Sequence, residues 1–322
     1  MKKILYILIV VSVMSIVHSA QALTVSPARL EVTGDPGTTL RGEIEIFNEQ
    51  EGSRTFYTSF ENFEPSGDTG APHFIGAENG LATWLKTDSQ VTVPSGTRQI
   101  VPYTITIPEG TEPGGYFGAV FFGTGEPGEA NGGQVSVGGK IGVLVLLRVA
   151  GDIEESGGLL DFLTKNNQRF FTSLPITFTY RLNNTGGDRV VPLGDIKIKN
   201  TFRLTTETLK ANKKEGSVLP SSARKFEVVW GEEQIKPEDT PKLNFFQSAQ
   251  AQLKEFHFGW YTAKLDLVFG TTNQAAQANY HFFVVPWQLL LIVFVVIIVV
   301  RFFGLILLRR YNRIIIARAT MK

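Results

Sequence analysis

The sequence predicts an all-β ectodomain of two tandem immunoglobulin-like β-sandwiches, followed by a single transmembrane α-helix. Three observations carry that prediction. Apolar and polar residues alternate with a period of two in run after run between residues 23 and 283, with turn residues between the runs. Val284–Leu308 is apolar at nearly every position. The chain also opens on two lysines, an apolar run and Ala20-Gln21-Ala22.

The two ends set the expected topology. Residues 1–22 read as a secretory signal peptide cleaved between Ala22 and Leu23. Residues 284–308 are long enough to cross a hydrocarbon core of about 30 Å. Trp287 stands at one end of this stretch, where an amphipathic ring prefers the headgroup level. Arg309 and Arg310 open a basic tail, residues 309–322, at the other end. Arg301, the one charge inside the stretch, fits a residue that snorkels to the inner headgroups. This layout places the C-terminus in the cytoplasm and everything before the span outside, a single-pass type I arrangement in a cell membrane.

Eight basic residues and no acidic ones lie in the two terminal segments, so the formal +1 of the chain leaves the region between at −7. An acidic exported region argues against nucleic acid as a partner. There are no cysteines. The exported part must therefore be held by core packing, and its roughly 260 residues suit two domains.

In the first, residues 23–150, Glu43–Ile46 and Tyr103–Ile107 alternate as half-buried strands. Lys140–Val149 is apolar throughout and reads as a central strand covered on both faces, with a short buried helix as the alternative. Two segments do not read as strand. Glu64–Gly80 is rich in Gly, Pro and small residues, and a loop of that length is functional or disordered. It supplies candidate ligand-binding residues in Asp68, His73 and Phe74. Trp84 follows, suited to stacking on a ligand or, the commoner role of a lone aromatic, to packing. Gly123–Gly128 matches G-x-G-x-x-G, but turn residues follow where a dinucleotide site needs a helix, so the match is read as chance.

Gly151–Gly158 is polar and Gly-rich and marks the boundary to the second domain, residues 151–283. Its Asp152, Glu154 and Glu155 have no calcium-loop spacing and read as a solvated linker. Strand patterning resumes at Ile176–Leu182, Ile196–Ile198, Phe226–Trp230 and Ala263–Phe269. The halves resemble each other. Pro94–Ile100 aligns with Pro220–Phe226, and Gly115-Tyr116 with Trp260-Tyr261. Strands ending at Asn48 and Asn183 both precede Gly-containing turns. The repeated Tyr is expected to anchor a corner by its hydroxyl. Residues 234–255 are an insertion, in which Phe245–Leu253 is a weak helix candidate expected to pack across the open end of its own sandwich or to dock on a partner.

Chemistry is sparse. The three histidines of the mature chain, His73, His257 and His281, have no metal spacing. No nucleophile elbow and no Walker lysine occurs. These features point away from an enzyme, and no cofactor or metal is expected.

Thr104–Phe122, with its I-x-I-P and P-G-G-Y-x-G-A-V-F-F segments, resembles the first domain of the WxL-interacting cell-surface proteins, and Lys140–Val149 looks like that domain's last core strand. Leu182–Gly186, Leu219–Ser222 and Trp260–Phe269 resemble the family's second domain. The resemblance implies a peptidoglycan-associating first domain and a second domain that binds WxL-type surface proteins.

The sequence thus points to a non-enzymatic, membrane-anchored bacterial surface protein. Its partner would be peptidoglycan or another cell-wall polymer, a surface protein, or both. Recognition would fall to Glu64–Gly80, Gly123–Gly133 or an exposed sheet edge. One rival is a pilus-chaperone-like module lending a strand to exported subunits, which needs a bare edge strand. The other is a cell-wall glycan hydrolase, which needs two facing carboxyl groups.

Overall fold

A computed structural model describes residues 23–125, 139–231 and 243–319 of the chain. The signal segment, with Ala22, and most of the Gly123–Gly133 loop lie outside the described residues; Leu23 opens the first strand. The described residues divide into two compact units that meet in the chain near residue 155.

In chain order the first unit holds β1 (Leu23–Ser26), β2 (Arg29–Gly34), β3 (Thr39–Asn48), β4 (Arg54–Ser66), β5 (Ala71–Gly76), a one-turn helix α1 (Leu81–Trp84), β6 (Leu85–Thr87), β7 (Gln90–Val93), β8 (Arg98–Thr106), β9 (Gly114–Gly123) and β10 (Lys140–Val149). One sheet runs β1-β3-β8-β6 and the other β2-β10-β9-β4-β5, with β7 beside the start of β4. The chain passes from one sheet to the other at the cis Ser26–Pro27 peptide, so β2 runs parallel to β10 while the other pairs are antiparallel. Ile44, Ile46, Val101 and Ile105 of the first sheet meet Phe56, Val120, Phe122, Val145 and Leu147 of the second in one core. Each such side chain stabilises the fold by about 1.5–3 kcal/mol on burial.

The second unit holds β11 (Gly157–Thr164), β12 (Phe170–Phe171), β13 (Ile176–Asn184), β14 (Leu193–Lys199), β15 (Thr205–Lys210), β16 (Ser222–Trp230), α2 (Phe245–Lys254), β17 (Gly259–Phe269), β18 (Gln274–Val284) and α3 (Trp287–Ala319). Its sheets run β11-β13-β16 and β12-β18-β17-β14-β15, around a core of Phe178, Tyr180, Phe226, Trp230, Leu265 and Phe282. The expected immunoglobulin-like β-sandwich architecture is observed in mostly-β form, with an apolar helix at the C-terminal end.

Four expectations are corrected. Glu64–Gly80 is not a loop, because β4 continues to Ser66 and returns as β5. Gly67 and Gly70, with φ of 55° and 72°, make the tight reversal. Second, Glu155 is not solvated linker. Its carboxylate accepts backbone N–H and hydroxyl bonds from Thr271, at 2.8–3.0 Å, and from Thr272, at 3.2 Å, in the β17–β18 turn. Burial raises the Glu155 carboxyl, but the four kinds of donated bond outweigh it and hold the group below its ordinary value.

The third correction concerns the repeat, which is displaced by one residue from its sequence alignment. Val101 and Phe226 face their cores, whereas Ile100, the residue aligned with Phe226, is 55 % exposed against 7 % for Phe226. A one-residue slip in a strand exchanges its two faces. Hydrogen bonds give the true offset: Thr97 Oγ1 donates to the Pro94 carbonyl and Ser222 Oγ to that of Leu219.

The apolar helix starts at Trp287 rather than Val284, because Val284 ends β18 with its side chain in the core. Within residues 287–312 an 18-residue stretch reaches a mean hydropathy of 3.2, and this helix is long and apolar enough to cross a membrane. Two residues join strand to helix. The Val285 N–H donates to Phe171 and the Leu290 N–H to Pro286, so the junction is tied on both sides.

Candidate functional site

The candidate residues separate. Phe74, on β5, lies in an aromatic cluster on the outer face of the second sheet, with ring centroids 6.1 Å from Phe63 and 4.9 Å from Phe121. Phe117 extends it, 5.9 Å from Phe63. His73, next along β5, is exposed on the opposite side of the strand, and Asp68 sits in the hairpin tip. Trp84 belongs to neither group. It packs on Tyr116 at 4.7 Å against the rim of the core. The Tyr116 hydroxyl donates to the Glu112 carbonyl four residues back, the corner anchor expected of it.

The Phe121 ring carries the cluster across to β10. Lys140 Nζ stands 4.1 Å above it and 2.5 Å from Glu61 Oε1. Gly142 lies beneath it, and a Cβ there would come 2.6 Å from the ring.

β10 also holds the feature that sequence reasoning named only in general terms. It pairs with β9 along its whole length, Lys140–Val149, but with β2 only from Leu144 to Val149. Leu144 donates its N–H to Ala28 and Ala150 donates to Gly34, so even-numbered residues turn their backbone groups to the β2 side. By alternation Lys140 and Gly142 turn theirs the same way, and among the described residues no strand pairs with them there. Among the described residues the first half of β10 is therefore an open sheet edge, flanked by Lys140 and by an apolar outer face. The signal available in the sequence was Gly142, a glycine inside an otherwise apolar strand.

Among the described residues no three His, Asp or Glu side chains come together as metal ligands. Gly123, the start of the G-x-G-x-x-G match, closes β9; the rest of the match lies largely outside the described residues.

No family model matches the chain, and no curated protein matches it. Among solved structures it is similar to the class 5 fimbriae chaperone CfaA, with 12 % identity over 82 % of this chain and 100 % of that one, at a TM-score of 0.37. It is similar also to the CsuC–CsuE chaperone–tip adhesion subunit pre-assembly complex of the archaic chaperone-usher Csu pili of Acinetobacter baumannii, with 8 % identity over 81 % of this chain and 98 % of that one, at 0.35. The E. coli chaperone DraB gives 9 % identity over 81 % and 97 %, at 0.33. Identity and score are both low, so function is read from this chain's own edges and surfaces.

Proposed function

We propose that the chain is a non-enzymatic, exported protein, anchored in a bacterial membrane by α3, that takes an extended segment of a protein partner onto the open edge of β10. The observation that supports this reading is the β2-side edge of Lys140–Val143, which no strand among the described residues pairs. Backbone N–H and C=O groups on such an edge are a template for one more strand. Gly142 adds no side chain of its own at this edge, the Phe121 ring lying over it, and the apolar outer face gives alternate residues of the incoming segment somewhere to pack. Anchoring raises the local concentration of the site for partners at the same membrane, so a short pairing suffices.

The test uses the full-length protein in its membranes, with a photo-crosslinking residue at Ile141. Adducts mapping to one extended segment of one protein support the reading. Lys140→Pro removes the outward N–H at a strand start, where Pro is tolerated, and should abolish the adduct. Lys140→Ala, which loses the Glu61 ion pair and the contact over the Phe121 ring but retains the backbone N–H, should keep it. Adducts that scatter, or that survive Lys140→Pro, would sink the proposal.

A second reading follows from the resemblance to the WxL-interacting proteins: the outer aromatic face of β4, β5 and β9 holds a cell-wall polymer. The partial exposure of Phe74 and Phe117 on that face favours it. Co-sedimentation of the detergent-solubilised protein with peptidoglycan across a salt series, with and without Phe74→Ala, decides it. Retention lost in the variant supports the face, and no retention of the wild type removes it.

A further inference from the structure

α2 is inside out. Its Asn244 side chain accepts from the Gln247 N–H while the Gln247 side chain accepts from the Asn244 N–H, a capping box that fixes where the helix starts. Its buried face is Ser248, Ala249 and Gln252, with Phe245 at the start. Gln252 is only 2 % exposed. Its amide donates to the Gln288 side chain at 2.5 Å and accepts the Leu289 N–H at 3.0 Å, and Phe245 packs edge-on against Trp287. The first turns of α3 thus hold α2 by its polar and small residues. Phe246 and Leu253, seven residues apart on the other side, are 74 % and 66 % exposed. A helix in water hides the opposite set.

The sheet end beside it has the same character. Trp260 is exposed on β17, opposite Phe283, and Phe283 in turn stands opposite exposed Phe170 on β12. Thr201 exchanges two 3.1 Å hydrogen bonds with the Trp260 backbone, which brings the exposed Phe202 and Leu204 to this end. All of these lie where β18 passes into α3. The far end of the sheet, where Leu193 pairs with Val268, is remote from it.

We propose that α2 and this sheet end form a foot seated in the headgroup region of the bilayer that α3 enters, the occupant of the exposed apolar face being lipid. The proposal rests on α3 crossing a membrane. Continuity carries it: the contacts of Phe245 and Gln252 with Trp287–Leu289 hold α2 at the depth where the apolar span begins, and Trp287 is the residue type that settles at that level. A helix with Phe and Leu on its outward face and Gln on its flanks lies in the plane of an interface. The foot fixes the tilt of the second unit on the membrane surface, which a helix alone does not.

The chain has no cysteine, so single cysteines take a spin label without background. The full-length protein is reconstituted in phosphatidylcholine–phosphatidylglycerol vesicles, and each label is tested for collision with dissolved oxygen and with a water-soluble nickel complex. Labels at Phe246→Cys, Leu253→Cys and Phe202→Cys should favour oxygen, and a label at Leu193→Cys should favour nickel. If the three foot labels match Leu193→Cys while Val296→Cys reads bilayer interior, the foot is wrong and the anchor stands. If Val296→Cys reads water as well, the anchor fails and the foot with it. Foot labels shielded from both reagents would mean protein covers this face, which also overturns the proposal.

Discussion

Asn48 and Asn184 make the same three hydrogen bonds in two different units. Each is fully buried at the end of its strand. Each donates its amide to the carbonyl four residues on, Gly52 or Asp188, and to a distant valine, Val93 or Val218. Each accepts the N–H two residues on, from Gln50 or Gly186. One side chain thus closes the turn after its strand and ties it to the segment that leads into the neighbouring strand, β8 or β16. Alanine at either position leaves buried carbonyls unpaired and should cost about 2–4 kcal/mol. Urea unfolding followed by tryptophan emission checks this, with Trp84 reporting the first unit and Trp230, Trp260 and Trp287 the second. Asn48→Ala should weaken only the Trp84 transition and Asn184→Ala only the other; a loss under about 1 kcal/mol is not compatible with the role.

Glu155 makes the second unit acid-sensitive at one turn. Its folded value is held below the ordinary one, so its stabilisation is fully present above the unfolded glutamate value of about 4.3. It is lost as pH falls through the lowered folded value. Glu155→Gln should lower the urea midpoint at neutral pH, and the gap from the wild type should close on acidification. A gap that is the same at both ends of the titration argues against the clamp.

Gly270 belongs to the same clamp. Its φ is +74°, and a Cβ there would stand 2.6 Å from Glu155 Oε2. Gly270→Ala should cost about 1–3 kcal/mol. The double variant with Glu155→Gln should lose less than the sum, since both changes remove one interaction. Additive losses in the same unfolding assay would separate the two.

The displaced repeat gives a face test. Ile100→Lys should change stability by no more than about 0.5 kcal/mol, because the side chain is already in water. Phe226→Ala should cost about 3–5 kcal/mol, since Phe226 is buried and stacks on Tyr180 at 4.8 Å. Equal effects at the two sites would restore the original alignment.

Four tyrosines resist ionisation. Burial raises Tyr103, Tyr116 and Tyr261, and raises Tyr180 furthest although Arg224 offsets part of it. The stability they contribute is present below the unfolded value of about 10 and is lost as pH rises beyond it. Tyrosinate absorbance should therefore climb in two stages, the second coinciding with loss of tertiary structure. A single smooth titration that precedes unfolding would contradict this.

Strands were legible wherever one face is wet and the other buried, as in Tyr103–Ile107, because alternation then records the pleat directly. Faces were less legible than strands. Pro94 and Pro220 look equivalent in sequence, yet Thr97 and Ser222 set an offset one residue different. The β4–β5 hairpin was hidden by composition: Pro65 lies opposite Pro72 and two glycines turn the tip, so the segment reads as loop. The bare edge of β10 depends on where β2 stops, a long-range fact with no local trace except Gly142. α2 was legible as a helix but not in its placement, because Phe246 and Leu253 point away from the contact that holds it.

The two-residue junction between β18 and α3 has a mechanical consequence. α3 is 33 residues, about 50 Å of continuous rod. On the proposed anchoring it leaves no slack before the strand, so tension between the membrane and a captured partner would enter the second unit at the end of β18. β18 is paired with β17 from Gly259–Val284 to Phe269–Gln274. The component of such a force along the strand shears all the rungs of the ladder at once, where a sideways component opens them one after another. The β17–β18 ladder is thus the part of the second unit that such a tension would load first.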